Sequence, residues 1–453
     1  MRRATWSGQR VLILGAARQG TALAQYLVQH GVQVILNDRQ PAEKLVEAMA
    51  ALQNLGAAVR WVCGGHPLEL LDEADLVCVS GGVPQTNPIV AAARERNIPL
   101  SNDSQIFLEA APCKVIGITG SAGKTTTTTL VGRMAEAALP TVYVGGNIGS
   151  PLIALVDDMK PDDLAVMELS SFQLEIMTRS PQIGAVLNVT PNHLDRHGTM
   201  HAYLNAKKRI LDFQGEEDVA VLGQDDPGAW GLASNVHGGL VSFGMQEPEA
   251  SKGVYLRDEA VYYREDGLDT WLLDRSDVTL RGDHNLLNVM AAGAIAKAAG
   301  LPDDAIRAGI SGFKGVAHRL EFVRSWGGAD WYNDSIATAP ERAMAAVRSF
   351  DEPLVLLAGG RDKDLPWEAF AELVRRRVEH LIVFGEAAGK ILDAMGPGYP
   401  AVRCSHLREA VQEAAQWVEP GDVVLLSPGG TSFDEFKDFE ERGECFRQLV
   451  MSL

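Results

Sequence analysis

Lys114–Leu130, KVIGITGSAGKTTTTTL, is the stretch whose reading decides the fold. Val115, Ile116 and Ile118 form a short apolar run that reads as a buried strand, Gly120 and Gly123 space a loop, and Lys124-Thr125 opens a helix. That order is the layout of a phosphate-binding loop, in which glycines let backbone N–H groups close around phosphate oxygens. A nucleoside triphosphate is therefore the first ligand implied, with Lys124 on its β- and γ-phosphates and the Thr125 hydroxyl on Mg²⁺. Gly120, Ser121, Ala122, Gly123 and Thr126 complete the expected ATP-binding loop. The usual spacing asks for a further glycine where Ile118 stands, so only the shorter G-x-x-G-K-T form is present. A Gly/Thr-rich turn with an incidental lysine is the plainer reading, and the strand before and helix after argue against it.

Upstream, VLILGAARQG from Val11 is another apolar run meeting glycines, followed by an Ala/Leu-rich helical pattern and a second strand, VQVILND. Gly15 and Gly20 sit at the first turn and Asp38 ends the second strand, the opening of a nucleotide-binding α/β unit. Ala17 stands where the middle glycine of a dinucleotide fingerprint belongs, and its methyl obstructs close approach of a pyrophosphate. A third strand, ADLVCVSGGVP, runs into a turn at Gly81 to Pro84, and the first domain closes near Asn102.

Downstream, DLAVMEL ends at Glu168, and IGAVLNV leads into TPNHLDRH with His193. Ligands of open parallel sheets sit beyond the carboxyl ends of the strands, so Glu168, His193 and Lys124 should face one site. A carboxylate and an imidazole beside a triphosphate fit Mg²⁺ positions; a capping glutamate and a surface histidine are the structural alternative. In the following helix, AYLNAKKRILDF, Lys207 and Lys208 either meet phosphate or are solvated, and spacing alone favours solvation. From Asp218 to Leu280 short strands and turns (DVAVLG, LVSFG, GVYL, AVYY, TWLL) add an antiparallel element. Asn285 and Asn288 then open an Ala-rich helix on one face, able to present amides to a planar base or to serve as caps. The last third alternates strand and helix again, with Asn333, Asp334, Lys363 and Ser432 after strands.

At about 150 residues per domain, 453 residues make roughly three domains. We expect an α/β chain: residues 1–102 Rossmann-like, 103–315 a central phosphate-loop domain with parallel sheet and added antiparallel element, and 316–453 Rossmann-like again. A net charge of −18 gives no electrostatic footprint for nucleic acid or an anionic membrane. Five scattered cysteines without C-x-x-C pairs indicate neither a disulfide framework nor a zinc site. The N-terminal apolar run VLILG is too short for a signal sequence or a membrane span, so a cytoplasmic protein is expected.

Taken together, GITGSAGKTT, MELSSFQLE, NVTPNHLDRH, the Asn285/Asn288 pair, His318-Arg319 and YNDSIAT resemble the Mur ligases, the ATP-dependent amino-acid ligases of bacterial cell-wall precursor synthesis. The resemblance runs from Val11 to the C-terminus. SPGGTSFDEFKDFEERG, and the lack of a D-N-P-R signature, point to the branch that adds D-glutamate to UDP-N-acetylmuramoyl-L-alanine. The resemblance implies that ATP phosphorylates the substrate carboxylate and that the amine of D-glutamate attacks the acyl phosphate through a tetrahedral intermediate. It implies two Mg²⁺ sites, served by Thr125 and Glu168 and by His193 and a carbamylated Lys207, which reverses the reading of Lys207 from spacing. It also implies Asn285 and Asn288 on adenine, Arg319 on the γ-phosphate and Asp334 on the ribose. Arg18, Gln19, Asp38 and Gly82 would hold the UDP part, with Asn147 and His193 along the muramoyl-alanine. Thr338, Lys363, Ser432 and the backbone around Phe439 would receive D-glutamate, and a monomer is expected. Ile336, Asn192 and Ala122 depart from the commoner family residues, and Ala122 offers no side-chain hydrogen bond. A related ligase, a regulatory ATPase and a pyridine-nucleotide dehydrogenase are the competing functions.

Overall fold

The structure, a computed structural model, describes residues 8–280, 282–362 and 365–453, the side chain of Asp195 excepted. The chain divides into two compact units, one ending at Phe313 and the other beginning at Lys314.

In the first unit, β1 (Arg10–Leu14), β2 (Gln33–Asp38), β3 (Val59–Cys63), β4 (Leu76–Val79) and β5 (Leu100–Ser101) form a parallel sheet in the order β3-β2-β1-β4-β5. Strand side chains alternate between faces, and both faces here are covered. Val11 and Ile13 enter one core with Leu23 and Leu27 of the helix Arg18–Gln29, while Leu12 and Leu14 enter another with Ile89 and Val90. Burying each such leucine contributes about 1.5–3 kcal/mol. The strand order reverses between β1 and β4, which opens a crevice beyond their carboxyl ends. Gly15, at φ +102°, makes the first turn, and a Cβ on Gly20 would lie 1.9 Å from the Gly15 carbonyl oxygen. Both expected turn glycines are therefore sterically required.

The second sheet comprises β6 (Lys114–Thr119), β7 (Val142–Gly146), β8 (Leu164–Glu168), β9 (Ile183–Val186), β10 (Val219–Gly223), β11 (Gly239–Gly244), β12 (Lys252–Arg257), β13 (Ala260–Glu265) and β14 (Leu268–Asp274). Its order is β14-β13-β12-β11-β10-β9-β6-β8-β7. Because β6 pairs in parallel with both β8 and β9, the loops after these three strands open side by side. The antiparallel element is smaller than the five short strands that the sequence reading gave it. β10 and β11 continue the parallel sheet, and β12 joins β11 in parallel. Only β12-β13-β14 is an antiparallel meander. The reason lies in the turns: Asp258 and Glu259 (φ +49° and +59°) and Asp266 and Gly267 (φ +51° and +80°) are paired positive-φ turns that reverse a strand directly, and no such pair joins β10 to β11 or β11 to β12.

One hydrophobic core runs through both sheets, from Val11 and Leu27 through Ile106 and Phe107 to Val115 and Ile153. Polar bonds lock the same seam. Asn102 caps the helix Asp103–Ala110 and donates to the Gln173 carbonyl (2.8 Å), and Gln173 donates to Ser104 Oγ (2.9 Å).

In the second unit, β15 (Glu321–Trp326), β16 (Ala329–Asn333), β17 (Leu354–Gly359), β18 (His380–Phe384), β19 (Ala401–Arg403) and β20 (Val423–Gly429) are ordered β15-β16-β20-β17-β18-β19. All strand pairs are parallel except β15 with β16, which form an antiparallel edge. Leu354 and Leu356 face one core and Val355 and Leu357 the other, so this sheet too is covered on both sides.

Candidate active site

The phosphate loop forms as the sequence requires. β6 ends at Thr119, Gly123 turns the chain at φ +80°, and the helix Lys124–Glu136 begins. The Lys124 ammonium donates to the carbonyls of Gly120 (2.8 Å) and Ser121 (3.4 Å), so it lies folded into its own loop. Asn188, just after β9, grips Ala122 through the backbone: Ala122 N–H donates to Asn188 Oδ1 (2.9 Å), and Asn188 Nδ2 donates to the Ala122 carbonyl (3.3 Å). That clamp makes a side-chain bond from residue 122 unnecessary. Ser121 Oγ donates to the Thr190 carbonyl (2.9 Å), accepts from Thr190 N–H (3.0 Å) and lies 3.0 Å from the Tyr203 hydroxyl. Thr126 is buried in the first turn of the helix.

Thr125 and Glu168 meet directly. Thr125 Oγ1 donates to Glu168 Oε2 (2.8 Å), and Asn147 Nδ2 donates to Glu168 Oε1 (2.9 Å). Glu168 is 2% exposed and ends β8, and the helix behind it is capped by Ser170, so Glu168 is not a capping residue. His193 is exposed, in the left-handed region at φ +53°, at the start of the helix Leu194–His197. Its ring tilts onto Phe172 with centroids 5.0 Å apart.

Lys207 corrects the reading from spacing. It is 1% exposed, with its Nζ donating to the Gly120 carbonyl (2.9 Å) and Thr119 Oγ1 (3.3 Å), whereas Lys208 is half-buried in a pair with Asp212 (3.4 Å). Burial pushes the Lys207 amine well below the ordinary lysine range, and the Lys124 ammonium pushes it the same way against the pull of Glu168. A depressed pKa favours the neutral, nucleophilic form of the amine.

Asn285 and Asn288 lie in the helix Asp283–Ala299, whose N-cap is Gly282, so neither caps it. Asn288 Nδ2 donates to Asn285 Oδ1 (3.2 Å), and a Cβ on Gly123 would fall 2.1 Å from Asn288 Oδ1. This amide pair packs on the phosphate loop itself.

A cavity of about 410 Å³ occupies the β1/β4 crevice, lined in part by Arg18, Gln19, Asp38, Gly82 and Asn147. Arg18, Gln19, Asp38 and Gly82 are the residues expected around the UDP moiety and Asn147 one of the two expected along the muramoyl-alanine; the other, His193, is not in the lining. Asp38 accepts from Ala16 N–H (2.9 Å) and Gln40 N–H (2.8 Å). Arg39 and His66 also line the cavity and were not anticipated; Asn37 bonds the His66 ring, and burial pushes that imidazole down despite Asp38. Asn147 both lines the cavity and holds Glu168, so the cavity and the phosphate loop share one amide.

In the second unit, Asp334 follows β16, accepting from Ser427 Oγ (2.8 Å) and Leu320 N–H (3.2 Å). Burial pushes its carboxyl up to about 7. Arg319 is exposed, and Ser432 is buried with its carbonyl accepting from Phe436 N–H (2.8 Å). Thr338 N–H donates to the Ile336 carbonyl (2.8 Å). The Phe439 carbonyl accepts from Ser335 Oγ (2.8 Å). Lys363 lies outside the described residues. The sequence reading missed Arg442, a fully buried guanidinium that donates to the Ser335 carbonyl (2.8 Å), Ser335 Oγ (3.0 Å) and the Gly430 carbonyl (3.1 Å). It fastens the loop after β16 to the loop after β20.

A lysine-bearing glycine loop at a helix start, with a buried carboxylate on its threonine, defines a nucleoside-triphosphate-binding α/β protein. Family models match almost end to end: "Mur ligase MurD-like, N-terminal domain" over residues 9–102, "Mur ligase middle domain" over 118–296, and "Mur ligase, glutamate ligase domain" over 318–430. The chain belongs to the Mur ligase family, on its MurD-like branch. It is 43% identical over 449 residues to the UDP-N-acetylmuramoylalanine–D-glutamate ligase of Symbiobacterium thermophilum and 42% identical over 450 residues to that of Pelotomaculum thermopropionicum, each alignment covering 98% of both chains. Among solved structures it matches the UDP-N-acetylmuramate-alanine ligase MurC of Thermotoga maritima, with TM-score 0.57, 19% identity, and 98% and 99% of the two chains covered. MurF of the same organism, in complex with ADP, gives TM-score 0.54 at 17% identity over 98% and 96%. At such identities these two speak for the fold alone.

Proposed function

We propose that the protein adds D-glutamate to UDP-N-acetylmuramoyl-L-alanine at the expense of ATP, releasing ADP and phosphate, in peptidoglycan precursor synthesis in the cytoplasm. The observation that carries this reading is the full-length likeness to D-glutamate ligases. Lys124, the loop amides, Asn285 and Asn288 bind ATP, aided by Arg319 at the γ-phosphate and Asp334 at the ribose. The cavity residues Arg18, Gln19, Asp38 and Gly82 take the UDP moiety, and Asn147 and His193 run along the muramoyl-alanine. Thr338, Lys363, Ser432 and the Phe439 backbone take D-glutamate. The chain works as a monomer in three domains, 1–102, 103–315 and 316–453.

The substrate carboxylate is a poor electrophile, so the γ-phosphoryl group passes to it first. The amine of D-glutamate then attacks the acyl phosphate, and the tetrahedral intermediate expels phosphate. Lys124 and the loop amides offset the negative charge gathered in both steps. The Thr125 hydroxyl and the Glu168 carboxylate, already 2.8 Å apart, are hard oxygen donors suited to Mg²⁺, and His193 with a carbamylated Lys207 would serve a second ion. Mg²⁺ bound there would supply charge neutralisation at the transferring phosphoryl group.

Phosphate release from ATP and Mg²⁺ with UDP-N-acetylmuramoyl-L-alanine tests the reading, comparing D-glutamate with L-glutamate, D-alanine, L-lysine and no amino acid. Release that needs both the UDP-sugar and D-glutamate supports it. Release indifferent to D-glutamate removes the substrate assignment.

A further inference from the structure

The cavity and the phosphate loop are joined by a second route besides Asn147, and it runs through a residue given no role so far. Arg196 sits in the short helix Leu194–His197 after β9. Its Nη2 crosses to the first sheet's side of the seam and donates to the Val83 carbonyl (2.9 Å), and Val83 lines the cavity. The same guanidinium lies over Phe172, with Cζ 3.8 Å from the ring centroid. An arginine held over an aromatic ring while donating to a carbonyl on the other side of the seam is fixed at two points.

From Phe172 the packing continues to the loop. The His197 ring stacks on Phe172 (centroids 5.2 Å, planes 9° apart), and its Nε2 lies 3.0 Å from Ser171 Oγ. His197 also packs on Tyr203 (5.2 Å), whose hydroxyl meets Ser121 Oγ in the phosphate loop. His193 is held by the same pieces: its ring leans on Phe172, and its carbonyl accepts from Arg196 N–H (3.1 Å) and His197 N–H (3.0 Å). A histidine at φ +53° is in an uncommon backbone state, which persists where its surroundings hold it. Phe172 in turn belongs to the helix Ser171–Leu174, whose Gln173 is bonded to Asn102 and Ser104 across the seam. The floor under the histidines is therefore anchored, and Arg196 is the strut from it to the cavity rim.

We infer that Arg196 is a positioning residue which couples occupancy of the β1/β4 cavity to the setting of His193 and the phosphate loop. A ligand that fills the cavity bears on the Val83 turn; that turn holds Arg196, and Arg196 holds the one-turn helix on which His193 stands. The consequence is reciprocal: each ligand tightens the binding of the other, and removing the strut leaves each site able to bind alone. This deepens the proposed function and rests on it for the identity of the cavity ligand.

The test is a thermodynamic cycle on the full chain. Calorimetry measures Mg²⁺ with a non-hydrolysable ATP analogue, with and without UDP-N-acetylmuramoyl-L-alanine, in the wild type, Arg196→Ala and Arg196→Lys. We expect the UDP-sugar to tighten nucleotide binding several-fold in the wild type, by a factor near one in Arg196→Ala, and by an intermediate factor in Arg196→Lys, which keeps a donor for Val83 but loses the guanidinium over Phe172. Added guanidinium should restore part of the coupling to Arg196→Ala and leave the wild type unchanged. An equal coupling factor in wild type and Arg196→Ala overturns the inference, as does a wild type with no coupling although both ligands bind. A UDP-sugar that does not bind the wild type at all overturns the assignment of the cavity instead. Melting curves separate the effect from misfolding: a variant that binds each ligand singly with near wild-type affinity is folded, and its lost coupling counts in favour.

Discussion

Lys124 and Lys207 donate to the same acceptor, their ammonium nitrogens lying 2.8 and 2.9 Å from the Gly120 carbonyl oxygen. Two like charges on the carbonyl of buried Gly120 are unfavourable, and the relief falls on the more buried lysine. Lys207 loses its proton readily, first through desolvation and then through Lys124.

A neutral amine at this place would suit the proposed carbamylation: CO₂ adds to the amine nitrogen, one N–H proton is released to solvent, and the resulting carbamate anion offers oxygen ligands. We expect Lys207→Ala to lose about 100-fold or more in turnover, roughly 3 kcal/mol of barrier. Short carboxylic acids should restore part of that loss. Because the pKa is depressed, bicarbonate activation of the decarbonated enzyme should be complete at a lower pH than an ordinary lysine allows. Lys207→Ala turnover that no carboxylate improves would count against the carbamate.

The Thr125–Glu168 bond predicts a metal phenotype. Thr125→Val removes a hydroxyl that donates to a buried carboxylate, a bond worth about 1.5–3 kcal/mol. The Mg²⁺ concentration for half-maximal phosphate release should rise roughly ten-fold or more. Glu168→Gln should do the same with little change in UDP-sugar affinity. An unaltered Mg²⁺ titration in both variants would dismiss the pair as a metal site.

Gly123 cannot carry a side chain. It lies at φ +80°, and a methyl would strike Asn288 Oδ1 at 2.1 Å. Gly123→Ala should cost about 1–3 kcal/mol of local strain and raise the KM for ATP without raising that for the UDP-sugar. Equal KM values for ATP in variant and wild type would show that the Asn288 contact yields freely.

Asp334 makes stability fall as pH rises. Its carboxyl is held up at about 7 by burial, so below pH 4 it is protonated folded and unfolded alike. Between pH 4 and 7 the unfolded chain releases the proton while the folded chain keeps it, and above pH 7 the penalty is complete. Asp103, pushed up to about 6 by burial, adds to the same trend. Asp334→Asn should therefore match the wild type near pH 4 and exceed it at pH 8 by an amount on the order of 2–4 kcal/mol, read from denaturant melts. A constant difference across that range would contradict the assignment.

Arg442→Met leaves the Ser335 and Gly430 carbonyls without their donor in a buried setting. The variant should lose about 2–5 kcal/mol of stability in the second unit, at about 1–3 kcal/mol for each unsatisfied carbonyl, with the KM for D-glutamate rising more than that for ATP. A denaturant midpoint unchanged from wild type would show that the guanidinium is dispensable.

The sequence by itself determined whatever depends on local covalent character. Gly123 and the Lys124-Thr125 step could make only a loop at a helix start, and Asp266-Gly267 only a tight reversal. The apolar runs of β1, β6 and β17 could be satisfied only where both faces are covered. Even the burial of Lys207 had a trace in the chain: Tyr203, Ala206, Lys207, Ile210 and Leu211 follow the helical spacing of one apolar stripe, and all five are buried. The usual preference of a lysine for water concealed it. The tertiary structure alone decided which residues distant in the chain share a proton, a carbonyl or a ring. Asn147 reaches Glu168 because β7 lies beside β8, Arg196 reaches Val83 across the seam between two sheets, and Arg442 reaches Ser335 from the helix Phe439–Ser452. The Asp334 pKa belongs to the same class, since desolvation is set by everything packed around a carboxyl and by nothing in its immediate sequence.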